Sequence, residues 1–230
     1  MKSAVIVFPG SNCDRDAFGA LEAAGLTPGY VWHADGALPE GVRLVVLPGG
    51  FSFGDYLRCG AMAARAPIMQ DVIRFANKGG YVLGICNGFQ ILTESGLLPG
   101  TLMRNAHLKF TCKETTLKVE ASDSVFLGGY RQGQVVNFPV AHAEGNYFAD
   151  EATLRQMEEA GQVALRYATP EGAVTPEASP NGARHNIAGI TNAKKNVLGL
   201  MPHPERHADA ATGGTDGAVM FKALFERLAA

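Results

Sequence analysis

Residues 81–98 read YVLGICNGFQILTESGLL. Tyr81–Ile85 is apolar or glycine without alternation, the pattern of a strand buried on both faces. Beyond Cys86 the apolar residues change to helical spacing, and a helix is predicted from Asn87 to about Glu94. A strand that passes through one residue into a helix is a building unit of parallel α/β sheets. Gly84-x-Cys86-x-Gly88 also has the form of a nucleophile elbow, a sharp strand-to-helix turn whose close neighbours must be small. The N–H groups at the start of the helix would then favour a thiolate on Cys86. A buried structural cysteine between packing glycines fits the same spacing.

The flanking segments repeat the pattern. Ala4–Phe8, Tyr30–His33 and Leu44–Leu47 are short strands. RDAFGALEAAG and APIMQDVIRFANKGG are amphipathic helices stopped by glycine, the second with Pro67 in its first turn. Such strands and helices in alternation predict a mostly parallel sheet covered on both faces. From Leu102 to about Pro139 the runs alternate, which predicts antiparallel strands added in the second half. Glu151–Ala160 reads as a helix and Val163–Ala168 as a strand. TPEGAVTPEASPNGARH suggests a mobile connector. Ile187–Thr191 and Val197–Leu200 form a hairpin around NAKKN, and Phe221, Leu224, Phe225 and Leu228 stripe a last helix. No repeat or linker divides the chain, so residues 1–230 are expected to form one domain.

Composition excludes several classes of function. The net charge of −2 and the absence of any lysine or arginine run argue against binding nucleic acid or an acidic membrane. No stretch approaches the roughly 20 apolar residues of a membrane span. The N-terminal apolar run is too short for a secretory signal. Cys13, Cys59, Cys86 and Cys112 form neither a disulfide framework nor a CxxC pair, which predicts a reduced, cytoplasmic setting.

A catalytic thiol needs a base, and the best placed of the six histidines is in NVLGLMPHPERH. There a strand ends, and His203 and Glu205 follow in a proline-stiffened turn. A carboxylate two residues away can hold the imidazole by one nitrogen while the other faces the sulfur. A solvated surface turn is the plainer alternative. Zinc ligation by His203, Glu205 and His207 lacks the continuous helix that HExxH requires, because Pro202 and Pro204 interrupt it. No metal is therefore expected. LPGGFSFGDYLRCG follows the third strand, and its paired glycines could turn backbone N–H groups toward an oxyanion. GGTDG lacks the lysine of a phosphate-binding P-loop and reads as the cap of the last helix, with Thr215 or Asp216 as N-cap. HAEGNYF, from His142, is either a wall of a substrate site or a partner surface.

With GICNGFQ, LPGGFS and HPE in this order, the chain resembles the class I (triad) glutamine amidotransferases along essentially its whole length. FPGSNCDRD, PGGFSFGDYLRCGA, HAEGNYF and MPHPER narrow the resemblance to the purine-biosynthetic branch. So do Asn87 and Phe89, where many relatives have Leu and His. The resemblance implies a flavodoxin-like three-layer sandwich. It implies that Cys86 attacks the glutamine amide, with His203 as acid and base and Glu205 orienting it. Asn87 N–H and a backbone N–H of Gly50 or Phe51 would form the oxyanion hole, and Gln90 and His142 would bind glutamine. It further implies no cofactor on this chain, with ATP and Mg on a large synthetase subunit and a small accessory subunit in the same complex. Glutaminase activity would be low until the chain docks. A stand-alone cysteine hydrolase or peptidase of related flavodoxin-like fold, or a non-catalytic regulatory module, are the competing readings.

Overall fold

The computed structural model describes residues 2–229. The unbroken apolar runs are strands β1 (Lys2–Val7), β2 (Thr27–Trp32), β3 (Leu44–Leu47) and β4 (Tyr81–Ile85). Helices α1 (Asp14–Ala23) and α2 (Pro67–Asn77) separate them, and α3 (Asn87–Glu94) follows β4. Ala4, Val5, Ile6, all of β3, and Val82, Leu83 and Ile85 are fully buried, as strands covered on both faces must be. The second half contributes β5 (Thr101–Met103), β6 (Thr111–Val119), β7 (Val135–His142) and β8 (Asn146–Phe148). Helix α4 (Glu151–Glu159), strands β9 (Val163–Tyr167), β10 (Ile187–Thr191) and β11 (Val197–Leu200), and helix α5 (Asp216–Ala229) complete it.

The main sheet runs β2-β1-β3-β4-β11-β10-β9-β6-β7. Its first five members are parallel and the rest are joined by antiparallel pairings. β5 and β8 form a separate antiparallel pair. The order reverses at β1, since β2 lies on one side of it and β3 and β4 on the other. Right-handed crossovers then put α1 and α2 on opposite faces, the doubly wound, flavodoxin-like arrangement. α1 packs against α5. No helix among the described residues is long and apolar enough to cross a membrane.

Register fixes where the loops gather. Leu47 pairs with Gly84 on one side of β4, and Leu200 pairs with Ile85 on the other. The residues after β3, β4 and β11 therefore leave the sheet side by side at its carboxyl edge, the usual place for ligands in such sheets.

Two elements differ from the sequence reading, while the last helix starts where expected, after Thr215. β2 begins at Thr27 rather than Tyr30, and it includes Pro28 and Gly29 because it is the edge strand, where a missing N–H is tolerated. The connector expected to be mobile is largely exposed over residues 170–177 but anchored in its second half, where Pro180, Asn181 and Ala183 are buried. It holds two 3₁₀ turns (Pro176–Ala178 and Arg184–Asn186), and its Asn181 is fully buried. Asp216 is the first residue of α5, and its carboxylate accepts the N–H of Asn137 at 2.8 Å, tying the helix to β7.

Candidate active site

Cys86 sits between β4 and α3 with φ 51° and ψ −107°, a conformation that strains a residue carrying a Cβ. Its N–H donates to the carbonyl of Leu200 at 2.8 Å, and its carbonyl accepts the N–H groups of Phe89 and Gln90. The N–H groups of Asn87 and Gly88 lie in the first helical turn, where the helix itself offers no acceptor. The turn is possible because α3 lies directly on β3: a Cβ on Gly88 would stand 1.9 Å from the carbonyl oxygen of Leu47. Gly49, on the neighbouring loop, is the floor of the site. A Cβ there would meet His203 Cε1 at 2.8 Å, Cys13 Sγ at 3.1 Å and Cys86 Cβ at 3.4 Å. Cys86, His203 and the buried thiol of Cys13 thus surround one glycine.

His203 Nδ1 is 2.6 Å from Glu205 Oε1, and both side chains are buried. The pair is bent into place by Pro202 and Pro204, and the N–H of His203 donates to the carbonyl of Pro139 within β7. His203 Nε2 has no hydrogen-bond partner among the described residues. Burial opposes a charged imidazole here, but the Glu205 carboxylate and the Cys86 sulfur outweigh it and hold the His203 pKa well above the ordinary imidazole value. The pair is therefore buried and oriented, as a base for Cys86 requires, and not a solvated turn. Arg206 donates to Cys13 Sγ at 2.9 Å and to Asp16 at 3.1 Å, bracing the loop after β11 against the loop after β1. Burial nonetheless pushes the Cys13 thiol pKa up. Donor atoms of Cys13, His203 and Glu205 fall within 4.8 Å of one another, and His203 Nδ1 and Glu205 Oε1 are bonded to each other. His207, the third residue of the zinc reading, lies apart with its ring against Gly214.

A cleft of about 230 Å³ opens beside Cys86, lined by Gly50, Phe51, Asp55, Cys59, Gln90, Arg104 and residues 141–144. Its electrostatics are mixed. Burial and the neighbouring Glu144 raise the Asp55 carboxyl, and burial with both carboxylates raises the Cys59 thiol. Arg104 lies 3.7 Å from Glu144. A larger hollow between α1 and α5, about 360 Å³, is lined mainly by alanines with Phe221 and Phe225, and its polar lining is Lys222 and Glu226, with no cysteine or histidine.

The structure refines four of the expected roles. The Phe51 N–H donates to the carbonyl of Gly10 at 3.0 Å, so it is not free for an oxyanion, and Gly50 is left as the loop donor to consider. The Asn87 side chain accepts from Ser52 N–H at 3.2 Å and donates to Gln90 Oε1 at 2.8 Å, pinning the glycine loop to α3. Gln90 lines the cleft but also donates to the carbonyl of Glu144 at 2.7 Å, so it ties the helix to the opposite wall. His142 borders the cleft, but its ring nitrogens are taken within the protein. Nδ1 is 3.2 Å from Asn105 Oδ1, and Nε2 is 3.5 Å from Asn181 Nδ2. The implied hold of its ring on glutamine is therefore not available as the residues stand. Phe89 is core, stacked on Tyr147 with ring centroids 5.9 Å apart.

The family model described as a CobB/CobQ-like glutamine amidotransferase domain matches residues 1–215. The chain is 58% identical over 229 residues to the phosphoribosylformylglycinamidine synthase subunit PurQ of Bradyrhizobium diazoefficiens, covering 99% of this chain and 98% of that one. The chain belongs to the PurQ branch of the glutamine amidotransferases. The subunit PurQ of Rhodopseudomonas palustris is 59% identical over 230 residues, with 100% of this chain and 99% of that one covered. Among solved structures, a chain of PurLQS from Thermotoga maritima matches with a TM-score of 0.87 at 42% identity, covering 99% of this chain and 98% of that one.

Some residues of this PurQ-branch site carry no signal in the sequence. Asn105 and Asn181 are isolated polar residues in loops and are fully buried behind the cleft. The Ala141 carbonyl, 3.8 Å from Cys86 Sγ, is a backbone group that no motif reports. Cys13 and Cys59 could have been ranked above Cys112 only through their places in loops at the carboxyl edge of the sheet. In this amidotransferase Cys13 reaches the His203–Glu205 pair and Cys59 the cleft.

Proposed function

We propose that Cys86, His203 and Glu205 carry out the hydrolysis by which this chain, the glutaminase subunit of phosphoribosylformylglycinamidine synthase, releases ammonia from glutamine. The observation that carries the assignment is the strained Cys86 elbow beside a buried histidine–carboxylate pair with one imidazole nitrogen free. The Cys86 sulfur attacks the side-chain carbonyl carbon of glutamine. The N–H groups of Asn87 and Gly50 receive the oxygen as it becomes negative, the largest single aid to acyl transfer in such sites. His203 gives its proton to the leaving nitrogen, the carbon–nitrogen bond breaks, and ammonia departs from a glutamyl thioester. His203 then takes a proton from water, whose oxygen replaces sulfur to give glutamate. Glu205 keeps the proton on Nδ1 and stabilises the imidazolium.

Ammonia passes to the large synthetase subunit, which converts formylglycinamide ribonucleotide to its amidine with ATP and Mg, while a small accessory subunit completes the complex. No cofactor is assigned to this chain, and its unpaired thiols suit the cytoplasm. The test is Cys86→Ala in the assembled complex. Glutamine-dependent synthesis should be abolished while ammonia-dependent synthesis survives. A glutamine-like chloroketone should modify Cys86 in the wild type, read by peptide mass spectrometry. Loss of both syntheses together, or modification elsewhere, would remove Cys86 from this role.

A further inference from the structure

Residues 141–145 form the wall of the cleft across from Cys86. Two asparagines outside any helix or strand satisfy this irregular backbone. Asn105 Oδ1 accepts the Gly145 N–H at 3.0 Å, and its Nδ2 donates to the carbonyls of His142 and Lys109, each at 2.9 Å. Its own N–H donates to the carbonyl of Ala143 at 2.9 Å. From the other side Asn181 Nδ2 donates one proton to the Gly145 carbonyl at 2.8 Å and shares the other between Tyr167 Oη at 3.2 Å and His142 Nε2 at 3.5 Å, while its Oδ1 accepts the Ala183 N–H at 3.0 Å. Backbone groups thus fix which end of each amide points where. The His142 tautomer follows: the proton is on Nδ1, facing Asn105 Oδ1, and the lone pair is on Nε2, facing Asn181. The ring lies where a Gly145 side chain would be, since a Cβ there would come within 2.4 Å of it.

This wall touches the chemistry at two points. The Ala141 carbonyl is 3.8 Å from Cys86 Sγ, and the Glu144 carbonyl accepts from Gln90. We propose that His142, clamped between Asn105 and Asn181, is a positioning residue that holds the 141–145 wall at the separation from Cys86 that glutamine requires. The inference rests on Cys86 as the nucleophile toward glutamine. A proton on Nε2 would face an amide nitrogen that cannot accept it, so the clamp requires a neutral ring. The ionisable groups around that ring are His203, His107 and Tyr167, and the charges of the two histidines also favour neutrality.

The test uses the assembled complex with His142→Leu and His142→Asn. A wall displaced by about 1 Å is worth up to 10²-fold in such sites. His142→Leu should raise the KM for glutamine at least tenfold with a smaller change in kcat, and slow chloroketone modification of Cys86 in parallel. Iodoacetamide modification and ammonia-dependent synthesis should stay within about threefold. His142→Asn, which can still offer an N–H to Asn105, should recover part of the KM. If His142→Leu does not assemble, Asn181→Ser keeps the ring and removes one side of the clamp, and it should raise the KM by a smaller factor. An unchanged KM in the variant that assembles overturns the proposal, as does an equal loss of iodoacetamide and chloroketone reactivity. Absence of chloroketone modification in the wild type overturns the Cys86 assignment first, and this inference with it.

Discussion

Acid should destabilise this fold through His142 in a way that one substitution removes. Burial, and after it the charge of His203, depress the His142 pKa from 6.5 to about 4. Between those values the unfolded chain holds a proton on this residue and the folded chain does not. Its contribution is thus complete above about pH 6.5 and is lost as the pH falls toward 4. At roughly 1.4 kcal/mol per pH unit, the gap is worth about 3 kcal/mol. His203 runs the other way, because its raised pKa favours the folded state below the unfolded value and loses effect as pH rises. Both proteins share that contribution, so it cancels in the difference. The assay is equilibrium urea unfolding of wild type and His142→Asn at intervals from pH 7 to pH 4. The wild type should lose about 3 kcal/mol more than the variant across that range, with little change in the slope against urea. Two stability curves that run parallel to within about 0.5 kcal/mol would refute the claim that a neutral imidazole is buried in the clamp.

Two further substitutions probe the catalytic geometry. Gly88→Ala places a Cβ 1.9 Å from the Leu47 carbonyl, so α3 must retreat by about 1.5 Å to reach the 3.4 Å of ordinary contact. Such a displacement should lower glutamine-dependent turnover by about 10²-fold, with ammonia-dependent turnover in the same complex as the control. Glu205→Gln keeps the shape of the pair but removes the charge that raises the His203 pKa. Steady-state kinetics should show kcat lower by about 10²-fold or more with a smaller change in KM, and the rate–pH profile should shift toward acid.

What was legible in the sequence is what depends on short-range pattern. The elbow, the HPE turn and the parallel half of the sheet rest on residues within a few positions of one another, and the structure reproduces those elements. Reading fails where a residue's partner is distant. Nothing near Phe51 shows that its N–H is used by Gly10, because that bond joins two glycine-bearing loops from different strands. Asn181 sits among Ser, Pro and Gly, a composition that suggests a mobile connector. Its burial follows from the Gly145 carbonyl of the 141–145 wall and from Tyr167. Pro28 and Gly29 read as a turn because the edge position that tolerates them is a property of strand order.

Four of the eight non-glycine residues with positive φ among the described residues lie in the elbow or in the loop after β3. Phe53, Asp55, Leu57 and Cys86 all have positive φ, between 51° and 68°, and none is glycine. Each such residue costs on the order of 1–3 kcal/mol and persists only where its surroundings over-determine it. For Cys86 the surroundings are β3, β11 and α3, whose close approach leaves the turn no alternative. For the glycine loop they are fewer: Asn87 accepts from Ser52, and Phe53 N–H donates to Pro9. Asn87 is one of the two residues that mark the purine-biosynthetic branch in the sequence, and here it joins the strained loop to the helix that carries Gln90. Gln90 in turn holds the wall that His142 clamps. The branch-marking residue therefore belongs to one hydrogen-bonded path, from Ser52 through Asn87 and Gln90 to Glu144, that spans the cleft from lip to wall. Glutamine must enter between parts that this path already holds at a set distance, and that is how a strained and otherwise weakly supported loop can present an ordered site.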